Sequence, residues 1–380
     1  MRIVTSGIGL RAGHVLRLIC DLMPEAKVVG YFDPQPTHLE MIGLDTPRYD
    51  TIPDMLVNAA PDLFFVGSPN EFHLEQIKLG LEAGVRIFAE KPVVTTVEES
   101  FALAELLAKY GTDRVMVGLV LRYSQHMVDL RDALSKGILG PITSLEANEH
   151  IAPYHGAFFM RDWRRMASHS GGFMLEKCCH DLDLYNMITA SRPARVASFG
   201  ARRSFLPGHA SMNNTETEIF HRKKSVWNSV DDPFHSDGDI IDCQTALLEF
   251  ENGASMTFHT NLNVPDEHRR FCVMGARGMA EGDFVRGFLK ITQRDGSIFA
   301  DHDYTTGALA HAGHHYGADH LMVTDIIRFL RNEIDHLPVG VVDALEAGIG
   351  ALALDKARQT GQIVDLTETW SQFDSYKLRG

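Results

Sequence analysis

Five β-prone residues, Arg2-Ile3-Val4-Thr5-Ser6, run directly into Gly7-Ile8-Gly9-Leu10-Arg11-Ala12-Gly13, where a helical pattern begins. A strand, then GxGxxA, then a helix is the arrangement of a bend that receives a dinucleotide. Gly7 permits the tight turn, Gly9 lets the backbone approach a pyrophosphate, and the small Ala12 lets helix and strand pack closely, with Ile8 and Arg11 in the same turn. The free N–H groups and positive end of the helix then face the phosphates. A GxGxxA alone also fits a glycine-rich turn with no ligand, so the flanking pattern has to decide.

That pattern repeats one unit. Apolar Val15, Leu16, Ile19 and Leu22 recur at helical spacing within Ala12–Met23. Strands are predicted at Lys27–Phe32, Asp62–Gly67, Arg86–Ala89 and Arg114–Leu119, and helices at Glu71–Ala83 and Val97–Tyr110. Strands separated by single helices make βαβ units and a parallel sheet, and right-handed crossovers leave a doubly wound Rossmann sheet for residues 1–121. From residue 122 to 380 the pattern changes. Strands are predicted at Ile142–His150, Val196–Ala201, Ile240–Glu251, Ala254–Leu262, Arg270–Met274, Leu289–Gln293 and Ser297–Ala300, with one helix, Gly172–Ile188, among them. Hairpin signals at Asn252-Gly253 and Asp295-Gly296 point to an antiparallel or mixed sheet. Helices return at Asp319–Asn332 and Val342–Thr360, while about 203–238 reads as a long polar loop of a length that is usually functional or disordered. The fold class is therefore α/β in two domains.

Composition narrows the partners. A net charge of −14 repels phosphate backbones and anionic lipid, which argues against nucleic acid and membrane. The five cysteines are odd in number and form no CxxC, so neither a disulfide framework nor a cysteine zinc site is expected. No signal-peptide pattern opens the chain, and the expected location is cytoplasmic.

Three segments carry candidate chemistry beyond the glycine turn. The strand Lys27–Phe32 ends at Asp33, placed to accept hydrogen bonds from a ribose. An aspartate there repels a 2′-phosphate, and Pro34-Gln35 follow it without an arginine, so NAD is favoured over NADP. Ala89-Glu90-Lys91-Pro92 sits at the carboxyl end of a parallel strand, where open sheets bind ligands. Further on, Gly171-Gly172 precede a run in which Glu176 and His180 share a helix face, Asp183 follows His180 at i+3, and Lys177 and Asp181 form a neighbouring pair. A histidine flanked by carboxylates moves protons near neutral pH. A solvated lysine in a turn and a charged surface helix account for the same letters equally well.

Taken in order, GxGxxA, Asp33, Ser68-Pro69-Asn70 with His73, Glu90-Lys91-Pro92, Arg122-Tyr123 and Gly171-Gly172…Glu176…His180 resemble the Gfo/Idh/MocA oxidoreductase family along nearly the whole chain. The resemblance implies a Rossmann domain followed by a C-terminal α/β domain with an open sheet that makes a homodimer or homotetramer. It implies NAD and a small sugar or polyol substrate. By the same resemblance, Ser68, Asn70, His73, Glu90 and Arg122 line the cofactor with the glycine turn, Lys91 contacts cofactor and substrate, and His180 is the acid/base. Tyr154, His155, Arg161, Asp162, Trp163, Arg164, Lys177 and, from the stretch His311–His320, His315 fall where substrate contacts are expected. The histidine stretch also has metal-ligand chemistry, but a substrate role is preferred and no metal is expected. One departure is Glu176, where many members carry aspartate, followed by Lys177-Cys178-Cys179; Cys178 and Cys179 read as a buried pair of small residues. On this reading His180 takes a hydroxyl proton, Lys91 steadies the same oxygen, and Glu176 orients one of them or relays the proton. A redox-neutral glycoside hydrolase that uses NAD transiently is the alternative, with Lys177, Tyr154 and His155 as extra ionisable groups, and a non-catalytic NAD-sensing protein is the third reading.

Overall fold

The computed structural model describes residues 1–210, 214–306 and 314–379. In chain order its elements are β1 (Arg2–Ser6), α1 (Leu10–Leu22), β2 (Lys27–Phe32), α2 (Ile52–Ala59), β3 (Leu63–Val66), α3 (His73–Glu82), β4 (Arg86–Ala89), α4 (Val97–Tyr110), β5 (Val115–Val117), α5 (Gln125–Ser135), β6 (Ile142–His150), α6 (Pro153–Arg161), α7 (Ala167–Ser170), α8 (Phe173–Thr189), β7 (Pro193–Ala201), α9 (Asn214–Phe220), β8 (Cys243–Phe250), β9 (Ser255–Asn261), β10 (Arg270–Gly275), β11 (Gly278–Asp283), β12 (Phe288–Gln293), β13 (Ile298–Asp303), α10 (Ala318–Leu330), α11 (Val341–Thr360), β14 (Val364–Asp365) and α12 (Thr367–Asp374). They divide into two compact units. Met1–Tyr123, Ala318–Ile349 and Thr369–Gly380 form the first, and Ser124–Gly317 with Gly350–Glu368 form the second.

The first unit is a five-stranded parallel sheet in the order β2-β1-β3-β4-β5. The order reverses between β1 and β3, which opens a crevice at the carboxyl ends of those strands. Leu63, Phe64, Phe65 and Val66 are all buried, as a central strand covered on both faces requires. Sequence periodicity missed α2, although Thr51 carries a start signal: its side chain accepts from the Asp54 N–H, with Pro53 in the first turn.

The second unit is built on a nine-stranded sheet, β13-β12-β11-β10-β6-β9-β8-β7-β14, antiparallel except for the pair β6/β9. Leu145, Ala147 and Glu149 of β6 alternate inward, while Phe199 and Leu247 stay exposed on the other face. Helix α8 is buried almost all round: only Lys177, Asn186 and Met187 keep partial exposure. The charged-surface-helix explanation of this segment therefore fails, because its carboxylates lie inside the unit. Polar residues 203–238 hold the short helix α9 and are fastened by arginines. Arg202 donates to the Pro233 and Ser236 carbonyls, and Arg165 donates to Asp237. No helix among the described residues is long and apolar enough to cross a membrane.

His126 of α5 is buried against Phe284 and Tyr304, with ring centroids 4.9 and 4.3 Å away. Burial lowers its pKa to about 4, against the pull of Asp283 and Asp129. A histidine kept neutral when folded leaves the unfolded chain to take up the proton first. Stability is then complete above the unfolded value near 6.5 and falls as the pH drops towards 4, by about 3 kcal/mol in all for this group. His126→Phe should flatten that part of the curve, which urea denaturation at pH 7.5 and 5 measures. An unchanged difference between the two pH values would show that His126 is not the sensitive group.

Candidate active site

The glycine turn lies at the switch point of the first unit. Gly7 has φ +83°, and its N–H donates to the Phe32 carbonyl at 2.9 Å. A Cβ added there would sit 2.6 Å from the Gly67 carbonyl group, so only glycine fits. Gly9 differs, since an added Cβ meets nothing within 4 Å. Its backbone borders open space at the start of α1, whose first turn has neither an acidic residue nor a capping side chain. Ala12 lies against Gly67, where a second Cβ would come within 2.7 Å, so the small pair sets the close approach of α1 to the sheet. Asp33 closes the turn: Oδ2 accepts from the Ile8 N–H and Oδ1 from the Gln35 N–H, both at 2.7 Å. Each oxygen retains a lone pair for a hydroxyl. Uncapped amides beside an open glycine and an anchored carboxylate fit a dinucleotide's pyrophosphate and ribose.

This cradle separates two glycine substitutions. Gly9→Ala should leave stability within about 1 kcal/mol but weaken NAD binding about tenfold or more, because the methyl takes the pyrophosphate's space. Gly7→Ala should cost about 2 kcal/mol or more in folding through its left-handed backbone. Fluorescence titration with NADH and urea melts distinguish them. Equal loss of stability in both would disprove the assignment of the open space at Gly9 to a ligand.

The neighbouring loops are tied to one another. His73 is fully buried, with Nδ1 2.9 Å from the Pro92 carbonyl oxygen and Nε2 2.9 Å from that of Ser68. It thereby links the loop after β3 to the cis Lys91–Pro92 turn after β4, and Ser68 Oγ donates to Gln76 at 2.9 Å. Asn70, in the loop after β3, is buried as well. Burial raises the Glu90 carboxyl despite the attraction of Arg11 and Lys91. Arg11 reaches Glu90 at 3.2 Å and Asp319 at 2.7 Å. Asp319, on α10, has no short-range sequence signal for this role; only the return of the chain to the first unit supplies it. Arg122 donates to the Pro338 carbonyl at 2.9 Å and pairs with Asp343 at 3.4 Å.

In the second unit, Gly171 and Gly172 bring the chain into α8 with φ +79° and +90°. Glu176 accepts from Arg164 Nε at 2.8 Å, and Arg164 Nη1 donates to Asp162 at 2.6 Å. The same guanidinium lies 4.2 Å from the Trp163 ring centre. The sequence paired Lys177 with Asp181 along the helix, but the structure gives each a different direct partner. Lys177 pairs with Glu149 of β6 at 2.9 Å, and Asp181 takes both ends of Arg269 at 2.8 and 2.6 Å. Arg269 also meets Glu149 at 2.9 Å. The reason is burial: Asp181 is inaccessible and needs a fork of donors, which a partly exposed lysine four residues away does not provide. Burial raises Asp181 to about 6, whereas Arg269 and Lys177 overcome burial at Glu149 and lower it.

His180 is buried on the same helix, and its ring centre lies 6.3 Å from that of His315. Tyr154 stacks on His155 at 6.0 Å and under the Arg222 guanidinium at 5.1 Å. Arg161 donates to the Lys223 carbonyl at 2.6 Å, and Trp163 meets Trp227 edge-on at 6.3 Å. Lys223, Glu149 and Arg269 were missed in the sequence because each arrives from a distant loop or strand. Cys178 and Cys179 are buried, and burial pushes the Cys178 thiol well up, which keeps it unreactive. His311 and the side chain of His314 lie outside the described residues. Among the described residues no three potential ligands converge on a metal position.

Comparison with known proteins agrees with this fold. Residues 1–119 match the oxidoreductase family with an NAD-binding Rossmann fold, and residues 127–281 match the GFO/IDH/MocA C-terminal domain. The chain is 24% identical over 320 residues to inositol 2-dehydrogenase of Corynebacterium glutamicum, covering 80% of each. It is 23% identical over 286 residues to scyllo-inositol 2-dehydrogenase (NAD(+)) of Bacillus subtilis, covering 73% of this chain and 72% of that one. The crystal structure of scyllo-inositol dehydrogenase from Lactobacillus casei, with bound NAD(H) and scyllo-inositol, shares the fold at a TM-score of 0.73 and 18% identity, over 97% of this chain and 99% of that one. With both of its parts matched in the expected order, the chain belongs to the GFO/IDH/MocA family of NAD-binding oxidoreductases.

Proposed function

We propose that this protein is a sugar or polyol dehydrogenase in which His180, Lys91 and Glu176 handle the proton of the reacting hydroxyl. The observation that carries this reading is the buried state of α8. His180 and Glu176 sit on a helix enclosed by the unit, where carboxylates are retained only with partners. Bound NAD supplies the hydride acceptor. His180 takes the hydroxyl proton as the carbon is oxidised. The Lys91 ammonium hydrogen-bonds the same oxygen and stabilises its developing negative charge. Glu176 is held in place by Arg164, so its carboxylate acts on His180 from a fixed position one helical turn away. Asp33 favours NAD over NADP by repelling a 2′-phosphate.

The inositol dehydrogenases among the relatives support a cyclic polyol. The three relatives compared above are named as dehydrogenases, and glycoside cleavage by transient oxidation has no support from them. The test is a panel of inositols, aldoses and alditols with NAD and NADP, following NADH formation. Accumulation of reduced cofactor with one of them is the expected result. A panel in which none reduces either cofactor would overturn the assignment.

A further inference from the structure

The glycine turn and the loop after β4 are joined by charge inside the first unit. Arg11, in the first turn of α1, donates from Nε to Glu90 at 3.2 Å and from Nη1 to Asp319 at 2.7 Å. Both carboxylates are buried, Glu90 at 7% and Asp319 at 4% exposure. Glu90 follows β4 and is wedged against the chain that leaves β5, since a Cβ added at Gly118 would lie 2.7 Å from its Oε2. Asp319 stands in the first turn of α10, whose positive end favours an anion. Its other oxygen lies 3.6 Å from His14 Nε2. Lys91, directly after Glu90, adds a second cation. Burial keeps water from screening these charges, so they act on a neighbour over several ångströms.

The strand order β2-β1-β3-β4-β5 says what that neighbour is. With an adenosine ribose at Asp33 after β2 and a pyrophosphate at the turn after β1, the rest of a dinucleotide runs towards the ends of β3 and β4, where Glu90 and Lys91 follow. The nicotinamide ring there is cationic in NAD+ and neutral in NADH. Arg11 and Lys91 oppose the cationic ring, and Glu90 and Asp319 offset them. We propose that Asp319 is a specificity-determining residue for the redox state of the coenzyme: by offsetting Arg11, its carboxylate lets the site take the cationic ring of NAD+ and release the neutral ring of NADH. The inference rests on the dehydrogenase reading given above, in which NAD+ enters and NADH leaves. Adenine, both riboses and the pyrophosphate are common to the two forms, so their contacts cancel in the ratio of the two affinities.

The test is calorimetric titration of wild type, Asp319→Asn, Arg11→Met and the double variant with NAD+ and with NADH at pH 8, where imidazoles are ordinarily neutral. Asp319→Asn should raise the Kd for NAD+ relative to that for NADH by about fivefold, as expected of one unit charge acting at short range through protein. For a two-electron couple that ratio lifts the potential of the bound coenzyme by about 20 mV. Arg11→Met should move the ratio about as far the other way, and the double variant should return near the wild-type value. A merely structural role would weaken both forms together and leave the ratio unchanged, which would overturn the proposal, as would a shift of Asp319→Asn towards NAD+. Should Asp319→Asn not fold, Arg11→Met decides alone: its ratio moves towards NAD+ or the proposal fails. Ratios that shift as expected while no polyol is oxidised would uphold the charge assignment and sink the dehydrogenase reading. If the wild type binds neither form, both fall.

Discussion

His180→Ala is expected to lower turnover by about a hundred- to ten-thousandfold, the usual contribution of a positioned general base. NAD binding should survive, because the cradle at Gly7, Gly9 and Asp33 uses other residues in a different compact unit. Two measurements separate the outcomes: single-turnover NADH formation and equilibrium titration with NADH. The variant should also lose the acidic limb of the pH–rate profile, since that limb reports protonation of the base. Glu176→Gln, which keeps shape and removes charge, should shift that limb to lower pH by weakening the electrostatic support of a protonated imidazole. If His180→Ala turns over at the wild-type rate across pH, the imidazole is not the base and the assignment falls to another group.

Arg269→Met should have the largest effect on stability. The guanidinium is nearly inaccessible and serves two carboxylates, Asp181 and Glu149, which are equally buried. Among the described residues, its loss leaves Asp181 with no ion-pair partner and Glu149 with Lys177 alone. Removing one partner of such a buried set costs about 3–5 kcal/mol, far more than the intact pair contributes. The sign of the pH dependence follows. Without Arg269 the folded pKa of Asp181, already raised by burial, rises further. A carboxyl whose folded value exceeds its unfolded value is relatively favoured at low pH, so the deficit should shrink between pH 7.5 and 5.5. Adding Asp181→Asn to the Arg269 variant should recover part of the loss at pH 7.5, as chemical denaturation of both single variants and the double variant would show. A deficit that is the same at both pH values would mean that the cost comes from lost packing and not from the orphaned charge.

The chain's letters carried the local features because those depend on neighbours in sequence. The GxGxxA turn, the acidic end of β2, the alternation of strands and helices and the spacing of Glu176 and His180 all rest on short-range geometry. Hairpins at Asn252-Gly253 and Asp295-Gly296 were legible for the same reason, since two residues fix a tight turn. Helices α2, α5 and α6 were not read, although Thr51 and Ser124 cap the first two, because weak apolar periodicity hid short segments.

Tertiary structure alone decided which charges meet. Asp319 reaches Arg11 from 308 residues away, and Arg269 reaches Asp181 across 88. It also brought Ala318–Ile349 back to the first unit and set Lys223 and Arg164 against the same Phe158 ring. No sequence period encodes such partners. They are selected by burial, which removes water from a carboxylate and leaves it to whichever cation the packed chain brings within reach.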